Sequence, residues 1–191
     1  MVELSMHILD VAQNSLAAGS TKVEINIQEN IPGNLLLIEI NDNGRGISRE
    51  GLTRVTDPFQ TSRKTREVGL GLPLLKEAAE RCGGHLEVIS EEGHGTKVIA
   101  RFQLDHIDRA PLGDMGGTMG VLIAGNPEID FLYEHRVNNQ KYSLDTTEMR
   151  KVLGSFTLDD PSILDFVQKD IQIGLRGIGA AGFPKIMEVL K

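Results

Sequence analysis

Asp42-Asn-Gly-Arg-Gly46-Ile47 holds more chemistry per residue than any other stretch of this sequence. It follows an apolar run directly, which puts Asp42 at the end of a strand. A buried carboxylate there can accept a hydrogen bond from an exocyclic amine such as that of adenine. Gly44 and Gly46, lacking Cβ, let the backbone pass close to a flat ring. Alone, this pattern is equally an ordinary glycine-rich turn. A second group, Gly69-Leu70-Gly71-Leu72, opens a segment of helical periodicity. The free N–H groups and positive dipole end of a helix start suit phosphate. The third group is Asp10 and Asn14, spaced to share one helix face. Asn14 offers a neutral carbonyl oxygen for one position of a Mg²⁺ shell. Asp10 can reach the same ion through water or orient an attacking water. By itself, that pair also reads as a polar helix face in solvent.

The elements that must position these groups follow from hydrophobic period. Leu4, Ile8, Val11, Ser15 and Ala18 fall on one side of a helix that Gly19 stops. Residues 22–28 alternate as a half-buried strand, and the turn at 31–34 leads to a second strand over 35–40. Ser48 caps a short helix to Val55, and 57–69 reads as a long polar loop. A helix over 70–82 ends at Gly83-Gly84, and strands over 85–90 and 96–104 flank a turn at 91–95. This order predicts an α/β (α+β) two-layer sandwich, with a mixed, mostly antiparallel sheet and helices on one face. Beyond a Pro- and Gly-rich linker at 106–118, residues 119–191 predict a small α+β extension. There 119–124 reads as a strand that would extend the main sheet, 131–137 and 141–144 as a hairpin, and 146–153 and 161–175 as helices. The glycines between 174 and 182 read as a joint.

Bulk properties narrow the function classes. The 191-residue chain carries a net charge of −7, which argues against nucleic acid or an anionic membrane as the main partner. The core must be aliphatic, because aromatics are 4% of the chain and tryptophan is absent. One cysteine, Cys82, excludes an intrachain disulfide framework. With neither a signal-peptide pattern nor an apolar run of spanning length, the expectation is a cytoplasmic protein.

Together the motifs resemble one family, the GHKL superfamily of gyrase B, the large heat-shock chaperone, histidine kinases and MutL. The resemblance covers about residues 4–104. His7 to Ser20 resembles the family's N box and Asp42 to Ile47 its first glycine box. Asp57-Pro-Phe-Gln-Thr-Ser-Arg63 is similar to the phenylalanine box of nitrogen-regulator-type histidine kinases. Gly69 to Leu75 and Gly93-His-Gly-Thr96 are similar to the remaining glycine boxes. The resemblance implies a Bergerat-type fold with ATP and Mg²⁺ as ligands. Asn14 would hold Mg²⁺, Asp42 would meet the adenine amine, and Gly44, Gly46 and Ile47 would line the base. Phe59, Thr61 and Ser62 would belong to a lid, while Arg63 and Lys64 would approach the phosphates with Gly69, Leu70, Gly71 and Leu72. Thr96 would lie beneath the base, bonded towards Asp42 or a bridging water.

One departure bears on the reaction. The ATPase branch has glutamate where this chain has Asp10, a methylene shorter, which leans towards a kinase with Asp10 and Asn14 as the catalytic pair. Only a few residues precede the N box, so a stand-alone module is expected, similar to anti-sigma-factor serine kinases. It would pass the γ-phosphate to a histidine or serine of a partner protein. The competing expectations are an ATP-driven conformational switch with slow hydrolysis, and a nucleotide sensor gating a protein partner. A homodimer is among the assemblies such a module would form. His106-Ile-Asp-Arg-Ala-Pro-Leu112 echoes a phosphoacceptor motif, making His106 a candidate acceptor beside the plainer reading of a linker.

Overall fold

Alternation decides the sheet. The computed structural model describes residues 3–55 and 71–180, apart from the side chains of 53 and 54. In β1 (Lys22–Asn30) every second side chain is buried, and β2 (Leu35–Asp42) repeats the pattern. Val23, Ile25 and Ile27 of β1 pair across the ladder with Asp42, Ile40 and Ile38 of β2, so their side chains share a face. β3 (His85–Ser90) and β4 (Thr96–Gln103) continue the sheet on the far side of β2. β5 (Asp130–Val137) and β6 (Gln140–Asp145) continue it beyond β1, giving the order β3-β4-β2-β1-β5-β6. Every neighbouring pair is antiparallel except β1 with β5, which run parallel.

The helices cover one face. α1 (Leu4–Ala17) lays Leu4, Ile8 and Val11 on the sheet, and α3 (Gly71–Arg81) adds Leu72, Leu75 and Ala79. α4 (Met115–Gly125) and α6 (Pro161–Ile178) complete the layer, with Val167, Ile171 and Leu175 of α6 buried. Each fully buried aliphatic side chain contributes about 1.5–3 kcal/mol. α2 (Arg49–Val55) and α5 (Thr146–Val152) are short. The opposite face of the sheet carries ion pairs between neighbouring strands, Lys97–Glu39 at 3.0 Å and Arg101–Glu87 at 3.4 Å. Such exposed pairs are worth less than about 1 kcal/mol each; their main effect is to leave that face solvated and locally neutral.

Three expectations change. Residues 119–124 are helical, as part of α4, and β5 is the element that extends the sheet. Asp114 caps α4 through Gly117 N at 2.9 Å. Gly116 and Gly120 lie so close to Gln168 of α6 that a Cβ would sit 2.9 and 2.7 Å from its atoms. A short apolar run does not distinguish strand from buried helix, and here the cap and the helix-to-helix approach decide. The expected linker at 106–118 is partly structured: its last residues are the first turn of α4. Its carbonyls at Pro111 and Leu112 accept from Leu4 N and Ser5 N at 2.9 and 2.7 Å. That satisfies donors left open at the start of α1, which has no side-chain cap. Finally, Gly174 and Gly177 are not a joint but belong to α6, which ends at Gly179 with a φ of 70°. Residues 181–182 lie outside the described residues.

Candidate functional site

At one end of the sheet the apolar rows stop and polar groups take their place on the same face. Leu36, Ile38 and Ile40 of β2 are followed, two residues on, by Asp42. Opposite it in the ladder stands Thr96, which heads the row Val98, Ala100 and Phe102. The last turn of α1 crosses above them. Between these parts lies a cavity of about 520 Å³, lined by Val11, Asn14, Ser15, Asp42, Thr96 and Val98 among others. That size is in the range of small-molecule sites.

The carboxylate of Asp42 is held at both oxygens. Ser15 Oγ donates to Oδ2 at 2.6 Å and Gly44 N donates to Oδ1 at 2.9 Å. A carboxylate has room for about four hydrogen bonds, so acceptor positions remain on a group that cannot rotate freely. Thr96 Oγ1 bonds Ser90 Oγ at 2.9 Å, where the expectation is a bond towards Asp42 or a bridging water.

Two glycine loops lock this arrangement by backbone contact. Gly46 has a φ of +70°, and a Cβ there would lie 2.1 Å from Glu91 O. Gly95 returns the contact: its Cβ would lie 1.9 Å from Asp42 O, at a φ of +84°. These two glycines are required because each loop occupies the other's Cβ position. Gly93 N donates to Arg45 O at 2.7 Å and Arg45 N to Ala18 O at 3.0 Å, which ties both loops to the end of α1. Asn43 Oδ1 accepts from Thr21 N and Lys22 N at 2.9 and 3.0 Å, fastening the loop before β1.

The structure thus brings Asn14, Asp42, Gly46, Ile47, Leu72 and Thr96 to one cavity. Gly44 is buried beside it, against Ala18. Gly71 opens α3, and a Cβ on it would meet Asp10 Cβ at 2.9 Å and Asp10 Oδ2 at 3.6 Å. Asp10 therefore abuts the helix start whose N–H groups lack intrahelical partners. Phe59, Thr61, Ser62, Arg63, Lys64, Gly69 and Leu70 lie outside the described residues. Asn14 lines the cavity, and among the described residues its side chain makes no hydrogen bond. Sequence reasoning missed Ser90 altogether and gave Ser15 only a packing role. A lone serine carries no spacing signal, although the alternation of β3 could have put Ser90 opposite Thr96.

The remaining candidates sit elsewhere. His106 follows β4 at the end away from Thr96, and its Nδ1 accepts from Asp108 N at 3.2 Å. β4, at about 3.3 Å per residue, puts its His106 end roughly 20 Å from Thr96. His94 is exposed in the turn before β4. Cys82 is buried, and burial raises its thiol pKa. No helix among the described residues is long and apolar enough to cross a membrane.

Residues 2–106 match the family model described as histidine kinase-, DNA gyrase B-, and HSP90-like ATPase. The chain is 35% identical over 97 residues to the non-motile and phage-resistance protein of Caulobacter vibrioides, covering 48% of this chain and 12% of that one. It is 34% identical over 97 residues to the alginate biosynthesis sensor protein KinB of Pseudomonas aeruginosa, covering 50% of this chain and 16% of that one. The match therefore spans under a fifth of either relative's length. Among solved structures, the N-terminal domain of a DNA repair protein shares the fold with a TM-score of 0.52 and 18% identity. It covers 76% of this chain and 53% of its own. The chain belongs to the family of histidine kinase-, DNA gyrase B- and HSP90-like ATPases, and its residues 2–106 are an ATP-binding module of that family.

Proposed function

We propose that this chain is a kinase-type module that binds Mg-ATP in the cavity and transfers the γ-phosphate to a histidine or serine of a partner protein. The observation that carries the reading is the fixed Asp42 carboxylate, held by Ser15 and Gly44 with acceptor capacity still facing the cavity. In this reading Asp42 takes the adenine amine, Ile47 and Val98 pack on the base, and Asn14 supplies one oxygen to Mg²⁺. Mg²⁺, when bound, neutralises charge on the phosphates. Asp10, beside the start of α3, orients the reacting end, and the N–H groups at Gly71 and Leu72 cradle phosphate oxygens. The likeness to the sensor protein kinase WalK of Staphylococcus haemolyticus supports transfer over hydrolysis, as does the short Asp10 side chain. Residues 119–191 then serve as an extension of the nucleotide module, which occupies 1–105. The place of His106, at the end of β4 away from Thr96, favours transfer to a histidine of another protein over transfer to His106.

The contact between Asp10 and Gly71 also favours a second reading. A carboxylate beside a phosphate-binding helix start can hold a water, so slow hydrolysis that drives a conformational switch is the alternative. The experiment is to follow label from γ-labelled ATP with Mg²⁺, with and without a lysate of the source cell. Label on protein that disappears with Asn14→Ala supports the kinase, and acid-labile, base-stable label identifies histidine. Label released only as free phosphate supports the switch and overturns the kinase. ATP bound but unchanged under both conditions leaves a nucleotide sensor.

A further inference from the structure

The hydroxyl of Ser90 settles the polarity of the cavity floor. Three contacts converge on it. Ile47 N donates to Ser90 Oγ at 2.8 Å, Ser90 Oγ donates to Gly95 O at 2.7 Å, and Ser90 Oγ lies 2.9 Å from Thr96 Oγ1. A serine hydroxyl has one hydrogen and two lone pairs. Gly95 O is a carbonyl and only accepts, so it takes the single Ser90 hydrogen. Ile47 N only donates and fills one lone pair. The contact with Thr96 then has one direction left: Thr96 donates and Ser90 accepts. The Thr96 hydrogen is therefore turned away from the cavity, and towards it Thr96 offers lone pairs alone. Ser15 is in the same condition, because its hydrogen goes to Asp42 Oδ2 at 2.6 Å. Asp42, Ser15 and Thr96 all line the cavity, and together they form an acceptor-only surface.

We propose that Ser90, which is not among the residues lining the cavity, is a specificity-determining positioning residue: by consuming the Thr96 hydrogen it makes the floor reject a base carrying a carbonyl oxygen in place of an amine. This rests on the cavity being the nucleotide site. An amine has hydrogens to give to such a surface. A carbonyl oxygen facing it loses its water and gains no donor, an unmatched polar contact of the kind that separates close analogues. The N1 hydrogen that inosine also carries can go to Asp42 in every variant, so the Thr96 hydrogen is read from the change in the ratio between wild type and Ser90→Ala. Without the Ser90 hydroxyl, the Thr96 hydrogen is released and can turn towards the cavity.

The test measures equilibrium binding of ATP and of inosine triphosphate to the full chain with Mg²⁺. The wild type should prefer ATP by about tenfold or more. Ser90→Ala should narrow that ratio chiefly by binding inosine triphosphate more tightly, a gain that loosened structure does not produce. Ser90→Thr, which keeps the hydroxyl, should restore the ratio. Thr96→Val decides the matter should Ser90→Ala fail to fold: it should weaken ATP without improving inosine triphosphate. An unchanged ratio in the folded variants, or a wild type that binds both nucleotides equally, overturns the inference while leaving the nucleotide site standing. A wild type that binds neither nucleotide overturns the reading of the site itself.

Discussion

Two polar clusters lie on the helix-covered face of the sheet, at opposite ends of β1 and β2, and they are built differently. At the cavity end, Ser15 donates to Asp42 and Thr96 pairs with Ser90, and Asp42, Ser15 and Thr96 keep acceptors facing open space. At the other end, Glu29 of β1 meets His135 of β5 at 2.8 Å, and His135 Nδ1 meets the Tyr133 hydroxyl at 2.9 Å. Glu29, His135 and Tyr133 are all buried. Burial holds the Tyr133 phenol well above its usual pKa, so it keeps its hydrogen. A carboxylate only accepts, so His135 Nε2 donates to Glu29. These two bonds run within β5 and from β5 to β1, and none of the three residues lines the cavity beside Asp42. Buried polarity beside a cavity is the material of a site, while buried polarity closed on itself fastens two parts of the fold.

That contrast can be broken through stability at the closed end. Glu29→Ala leaves the His135 Nε2 hydrogen buried without its acceptor, a loss of about 1–3 kcal/mol. In a protein of this size the melting temperature should fall by roughly 2–10 °C. ATP affinity of the folded fraction should stay the same; a specific loss of affinity would erase the distinction. At the open end the effects should reverse. Asp42→Asn should weaken ATP binding roughly a hundredfold, about 3 kcal/mol, with little change in melting temperature. Ser15→Ala frees the carboxylate to turn and should cost about tenfold in affinity. Equal losses of stability and binding in these two variants would make the open cluster structural as well.

The smallest effect concerns His7, buried on the α1 face that also carries Asp10 and Asn14, with no partner for Nδ1. Burial lowers its pKa from the ordinary 6.5. In the unfolded chain His7 takes up a proton near 6.5, while the folded protein takes it up only at lower pH. Its contribution is therefore fully present above that value and is lost as pH falls below it. Thermal melts from pH 7.5 to 5.5 should show a decline that is shallower in His7→Leu. An identical slope in both proteins would remove His7 from the account.

Much of this was legible in the residues. The alternation in β1 and β2 gave the sheet its faces, and the same alternation carried Asp42 inward at the end of an apolar row. Legibility stopped where long-range contacts decide. Residues 119–124 read as a strand on their own, yet Gly116 and Gly120 allow a helix pressed onto Gln168. Nothing in β5 announces a parallel partner a hundred residues upstream. The glycines of the two loops were visible, but their reason was not: each makes room for the other loop's backbone.

The parallel pairing of β1 with β5 has a consequence for how the protein is made. On the ribosome β1 emerges about a hundred residues before β5, and its second edge stays open until Asp130 and the residues after it follow. At about 5–20 residues per second that interval lasts roughly 5–20 seconds. Throughout it, Val23, Ile25 and Ile27 stand beside an unpaired row of peptide groups, which is a template for association with other nascent chains. Growth temperature and translation speed should therefore govern the soluble yield of this protein more strongly than the final stability of its fold.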